Sequence, residues 1–153
     1  VNGYVRVTVT KSWATINEDG TYTPVDNLDV NEIALSDLTD VDGCKWIKAT
    51  SLEEEFFGTN AEDPNTYVYY YSEPLMGGTT SQDLLKSVAI QVGLGNEYQN
   101  KAILISAVAE SVQYVEADGT QEIADLNAAG IESAWGVQVT IDPDTGAITS
   151  YGY

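Results

Sequence analysis

No histidine occurs anywhere in the 153 residues. That absence removes the usual general base near neutral pH, the commonest zinc ligand and every Ser-His-Asp or Cys-His arrangement. The single cysteine, Cys44, cannot close an internal disulfide. Bases are scarce as well, six against 24 acids, for a net charge of -18. Nucleic acid and anionic lipid are bound by clustered cations that displace counterions, so both are excluded as partners. No apolar run is long enough to cross a membrane, and no charged, apolar and small-residue series marks a signal peptide. The chain opens at Val1 in what reads as the middle of a strand, which predicts a processed N-terminus or a longer precursor.

What is present is apolar and β-prone. Hydrophobic residues make up 43% of the chain, enough for one domain over residues 1–153 with a real core despite its charge. Val5, Val7 and Val9 alternate with Arg6, Thr8 and Thr10, the period of a half-buried strand. Asn17–Gly20 is turn chemistry, and Pro24 places the return strand at an edge. The acidic stretch 26–43 predicts a short helix or a loop. Phe56 and Phe57 are expected to tuck under the sheet. Residues 87–94 and 101–115 are the strongest strand candidates, the second apolar on both faces like a central strand between layers. Ile123, Leu126 and Ile131 sit at helical spacings behind a capping Thr120, with Gly130 weakening the last turn. Residues 137–153 predict a hairpin about Pro143 and Gly146, an extension of the same domain. About eight short strands and a helix point to a mainly β fold, a jelly-roll-like β-sandwich with one or two short helices.

Few motifs carry chemistry. Aspartates in "DLTDVDG" suggest a calcium loop, yet Gly43 at the sixth position puts Leu38 at the first and Ala49 at the twelfth. The expectation is a solvated acidic loop and no cofactor, with a calcium site on Asp37, Asp40 and Asp42 as the alternative. "GLGN" at 93–96 lacks the third glycine and the helix of a phosphate site, and reads as a strand-end turn. Lys101, Asn100 and Glu110 are the raw materials of a Lys–Asn isopeptide bond; a lysine snorkelling at a strand start is the simpler reading. No spacing supports a nucleophile with a base, so the chain reads as no enzyme. The tyrosine run is the strongest local feature: Tyr67, Tyr69 and Tyr71 fall on one face, Val68 and Tyr70 on the other. Such a row can be a carbohydrate platform, a contact between subunits or cross-strand packing within one chain.

The order of segments resembles the TasA/camelysin group of secreted Gram-positive proteins. "YVRV" at Tyr4–Val7 precedes a Tyr-rich strand ending in Pro-Leu at Tyr69–Leu75; Ala109–Gln113 then leads to a helix ending in Ala134 and Trp135. The resemblance spans residues 3 to 136. It implies a jelly roll, secretion to the cell surface or biofilm matrix, and fibres in which a strand of one subunit completes the sheet of the next. It departs from the group in lacking a strand region before Tyr4 and in extending beyond Trp135, and without histidine the protease activity described for camelysins is not carried over.

The expected function is therefore a structural subunit of an extracellular, biofilm-matrix or pilus-like filament. Its partners are copies of itself, with matrix polysaccharide as a further candidate. Assembly is expected by donor-strand complementation through Tyr4, Val5, Val7, Val9, Tyr67, Tyr69 and Tyr71, the N-terminal strand being the favoured donor and the tail 147–153 the other. The rival reading is a secreted carbohydrate- or surface-binding adhesion module that exposes the tyrosine face.

Overall fold

A computed structural model describes residues 2–49, 66–90 and 93–152. The expectation for Phe56 and Phe57 lies outside them. The fold is mainly β, built on the fourteen-residue β1 (Gly3–Ile16), which contains the predicted strand Val5–Thr10. A two-residue-period strand of that length presents two full rows of side chains, and here both rows are covered by other elements.

Along one margin β1 pairs antiparallel with β7 (Lys101–Gln113), from Gly3 opposite Gln113 to Thr15 opposite Lys101. Along the other it pairs first with β5 (Thr66–Tyr71) and then, past Trp13, with β2 (Tyr22–Val25), which carries Pro24 at the sheet margin as expected. β4 (Trp46–Lys48) extends the sheet beyond β5. Two smaller antiparallel pairs complete the strands: β3 (Ile33–Asp37) with β6 (Leu85–Ile90), and β8 (Gln138–Ile141) with β9 (Ile148–Gly152). The helix α1 (Gln121–Trp135) precedes the last pair.

The odd-numbered row of β1 and β5 faces the β3–β6 pair. Val9, Tyr69, Tyr71 and Trp46 form a buried cluster against Leu35 and Leu85, and Trp13 packs with Ile33 and Leu28. The even-numbered row faces α1 and the β8–β9 hairpin, where Tyr4, Tyr70, Ile131, Val137 and Ile148 share one core. The tyrosine strand is thus buried on both faces, which explains its composition: a ring fills each layer and contributes about 1.5–3 kcal/mol when fully buried. The arrangement is consistent with a β-sandwich carrying an added helix layer.

Several expectations change in detail. Within the acidic stretch, Val30–Glu32 makes a single tight turn and Ile33–Asp37 becomes β3, a strand the charge pattern concealed, while residues 38–43 form the expected loop. Thr120 stands at the helix N-cap, but its hydroxyl donates to Asp118 instead of capping the helix. Ile131 is buried as expected while Leu126 is exposed; Ala124 and Asn127 take the buried stripe. The hairpin turn matches, with Gly146 at φ 75°, where an added Cβ would lie 2.7 Å from the Tyr114 hydroxyl oxygen.

The largest correction concerns β7. The sequence places it centrally between layers; among the described residues it pairs with β1 alone, and Ser106 to Ser111 are exposed. Its small residues, Ser106, Ala107 and Ala109, fit either environment by composition, so hydrophobicity alone misreads the position.

Candidate functional site

The residues selected from the sequence separate into buried and open groups. Tyr4 and Val9 are fully buried. Tyr4 donates its hydroxyl hydrogen bond to the Gly146 carbonyl at 2.7 Å and meets Tyr114 edge-on, while burial pushes its phenol far above the ordinary range. Val5 and Val7 are half-buried beside the odd-face cluster. The whole segment Tyr4–Val9 is flanked by β7 on one side and, from Arg6, by β5 on the other. In this chain it is the centre of the sheet rather than a free donor, because its backbone is already paired. The tail is likewise engaged, with Ile148 N–H donating to Ser72 at 2.7 Å and β9 paired to β8.

The tyrosine face is internal too. Tyr69 is fully buried and Tyr71 nearly so. Tyr71 packs on Trp46 with ring centroids 4.8 Å apart, and Tyr67 carries the Lys48 ammonium 4.7 Å and the Lys11 ammonium 5.3 Å from its centroid. Tyr69 and Tyr71 are not available as an exposed carbohydrate platform, and Tyr67 is half-buried. Of the three roles the sequence left open, cross-strand packing within the chain describes their contacts.

Asp37 and Asp40 line one pocket and Asp42 another, so the three are not gathered into one cluster. Asp37 Oδ1 accepts from the Thr39 hydroxyl and amide; Oδ2 accepts from the Tyr69 hydroxyl at 3.0 Å and lies 3.3 Å from the Lys48 ammonium. Burial alone would raise this carboxyl, but those donors and the cation together hold it below its usual range. The same contact and burial push the Tyr69 phenol far upward, so it stays a donor. Asp40 and Asp42 are exposed in the following turn. Asp37 is therefore a joint between the β3–β6 pair and the large sheet, its oxygens already spoken for. Lys101 donates to Thr15 and Glu110 pairs with Arg6 (Nε to Oε2, 2.8 Å), so the isopeptide materials are not brought together.

What sequence reasoning missed is an open flank. In the β3–β6 pair, Ile33 opposes Ile90 and Leu35 opposes Val88, so these four share the inward row. Ile33 is fully buried, yet Val88 and Ile90 are 41% and 52% exposed. On the large sheet, Ala107 opposes Val9 and Ala109 opposes Val7, on the same inward side, and both alanines are exposed. On the other side Val108 is 57% exposed. Two strands thus turn apolar rows toward a layer that nothing among the described residues covers, and the outer margin of β7 pairs with no other described strand. The charged residues on these two strands are Lys86, Lys101 and Glu110 only, in a chain with 24 acids.

At one end of this flank lies a cavity of about 440 Å³. Val5, Ser111 and Gln113 form its floor, and Leu75, Met76 and the Gly77–Gly78 turn its wall. The wall is pinned: Gly3 and Leu75 exchange backbone hydrogen bonds of 3.0 and 2.8 Å, and Gly77 N–H donates to Asn2 Oδ1 at 2.8 Å. Comparison with family models, curated proteins and solved structures gave no match to this chain.

Proposed function

We propose that this protein is a structural subunit of an extracellular filament, adding copies of itself by β-strand addition. The inward rows of β6 and β7, exposed beside a margin of β7 that no described residue pairs, carry the reading. An exposed strand margin is a row of unsatisfied N–H and C=O groups, and an extended segment laid along it gains main-chain hydrogen bonds while its alternate side chains fill the open layer. Thirteen residues of β7 give such a segment ample length. A contact of this kind between different surfaces on successive subunits does not close, and an open chain of subunits results. The ordered resemblance to TasA/camelysin proteins supports the same reading and the secreted location that goes with it.

The charge fits as well. A net of -18 keeps subunits apart at long range, while the open flank is almost free of acids, so repulsion is least where strands would meet. The donor is not Tyr4–Val9 as folded here, since that segment is the spine of its own sheet.

The test is electron microscopy of the purified chain with hydrogen exchange on the same samples. Filaments should form and the β7 amides should slow on assembly. The double variant Ala107→Glu/Ala109→Glu should remain a folded monomer of unchanged melting temperature, because both positions are exposed in the subunit. Filaments of normal yield from that variant would sink the proposal.

A further inference from the structure

We infer that the β3–β6 pair is a cover that lifts and recloses as one unit while the large sheet and the α1 layer stay folded. The inference concerns the single subunit and stands whether or not copies of it assemble.

Three observations point there. The first is burial. β5 ends in three consecutive buried tyrosines, whereas no residue of β6 is buried and Ile33 is the only buried residue of β3. Of the pair's inward residues, Val88 and Ile90 are exposed. A two-stranded pair has little stability of its own in water, so the little it buries decides how firmly it stays closed. Segments with few buried apolar contacts open at a lower free energy than the whole molecule unfolds.

The second is the means of attachment. Among the described residues no main-chain hydrogen bond joins β3 or β6 to the large sheet. The joints are made by side chains. Lys11 Nζ donates to the Ile33 carbonyl at 2.9 Å, and the Tyr69 hydroxyl and the Lys48 ammonium both meet Asp37. Lys11 is only 4% exposed and forms no ion pair with a carboxylate among the described residues. Closing the cover therefore takes an ammonium out of water against one carbonyl and the Tyr67 ring, 5.3 Å away at its centroid. That desolvation offsets part of what the joint contributes.

The third is mooring. The chain is tied down at both ends of the pair. Ahead of β6, the Gln82 carbonyl accepts from the Trp46 indole at 2.8 Å, and the Gln82 side chain accepts from the Lys45 amide at 2.7 Å. Ahead of β3, the Asp29 carbonyl accepts from the Trp13 indole at 2.9 Å, and Tyr98, ahead of β7, packs edge-on against the same indole at 5.0 Å. A pair that lifts between such moorings recloses in place. While open, it uncovers Val9 and Tyr69, which Leu35 and Leu85 otherwise help to bury. The apolar row of the large sheet is thereby exposed or hidden without unfolding the rest.

The test is native-state hydrogen exchange of the full chain at urea concentrations well below its midpoint, with lysine acylation by acetic anhydride mapped by mass spectrometry. Amides shared between β3 and β6 should follow one common urea dependence, exchanging about 100-fold or more faster than those at the centre of β1. Acylation of Lys11 should be slower than that of the exposed Lys86 and should rise with urea in step with those amides. Two variants separate this opening from unfolding of the whole chain. Tyr69→Phe removes a joint and should speed exchange in β3 and β6 by about ten-fold. Tyr4→Phe loosens the opposite face and should leave those rates unchanged, because the bond from Tyr4 to Gly146 survives when the cover lifts. Exchange of β3 and β6 at the rate of β1, an equal response to Tyr4→Phe, or acylation of Lys11 as fast as Lys86 overturns the inference. So does exchange of these amides one by one without urea dependence, since the pair would then fray rather than lift.

Discussion

The two rows of β1 and β5 are closed to different degrees. The even-numbered row lies under α1 and the β8–β9 hairpin, where Tyr4, Tyr70, Tyr114, Tyr151 and Trp135 meet ring to ring at 5.5–5.8 Å. At its rim Arg6 stacks on Trp135 while paired to Glu110, and beyond it Ser106 and Val108 of β7 are exposed on this face as well. The odd-numbered row is sealed over β1 and β5 but stops short at β7, where alanines face solvent, and the covering pair exposes Val88 and Ile90. Both regions have strand patterning and apolar side chains. They differ in side-chain size and in having a neighbour. Where large rings stack, the chain completes its own core; where small apolar residues line β7, nothing among the described residues covers them.

The sharpest way to break this contrast is to cut each region equally. Tyr69→Ala removes a fully buried ring and strands Asp37 without its phenol donor, and should cost about 3–5 kcal/mol, read as a fall in urea midpoint. Ile90→Ala and Val88→Ala, on the open flank, should stay within about 0.5 kcal/mol in the monomer. Comparable losses at all three positions would mean that the flank is as well packed as the core, and the distinction would fall.

That contrast was half legible in the sequence. The alternation in "YVRVTVTKSW" marks β1 but reads as half-buried, whereas both of its rows are packed; Gly146 with Pro143 marks the final hairpin. The tyrosine run was recognised as a strand, but not that both of its rows are internal, because a tyrosine hydroxyl suits a wet surface and a hydrogen-bonded core alike. The partners that satisfy those hydroxyls, the Gly146 carbonyl for Tyr4 and Asp37 for Tyr69, lie 142 and 32 residues away in the chain, beyond any local signal. For β7 the failure had another cause. Period two tells which residues share a face, not whether a second strand stands alongside, so an apolar margin strand reads as a central one. The charge pattern held the missing clue: residues 101–109 contain no acid in a chain rich in them.

An intermediate effect is expected where the β3–β6 pair joins the large sheet. Asp37→Asn keeps the shape but loses the ion pair with Lys48 and weakens the bonds from Thr39 and Tyr69, at about 1–3 kcal/mol near neutral pH. The sign with pH follows from the direction of the shift. The folded carboxyl sits below its ordinary range, so its contribution is full above the unfolded value of about 3.9 and is lost as pH falls through the lower folded value. Denaturant melts of parent and variant should therefore differ most near pH 7 and converge below about pH 4. A gap that widens on acidification would show that Asp37 is not held by these partners.

The smallest expected effect has the opposite sign and lies on the closed face. The Tyr151 hydroxyl is buried without a hydrogen-bond partner among the described residues, 5.7 Å from Tyr70 by ring centroids. Desolvating that group with nothing in return is a cost the core bears. Tyr151→Phe keeps the ring stack and removes the stranded oxygen, so it should be neutral or stabilise the monomer by up to about 1 kcal/mol, raising the melting temperature by a few degrees. The comparison sharpens because the same exchange at Tyr4, whose hydroxyl is bonded to the Gly146 carbonyl, should destabilise instead by about 1 kcal/mol. If Tyr151→Phe lowered the melting temperature as Tyr4→Phe does, a partner would have to exist for that hydroxyl. The closed face would then owe its stability to a polar network rather than to stacked rings over a single unsatisfied oxygen.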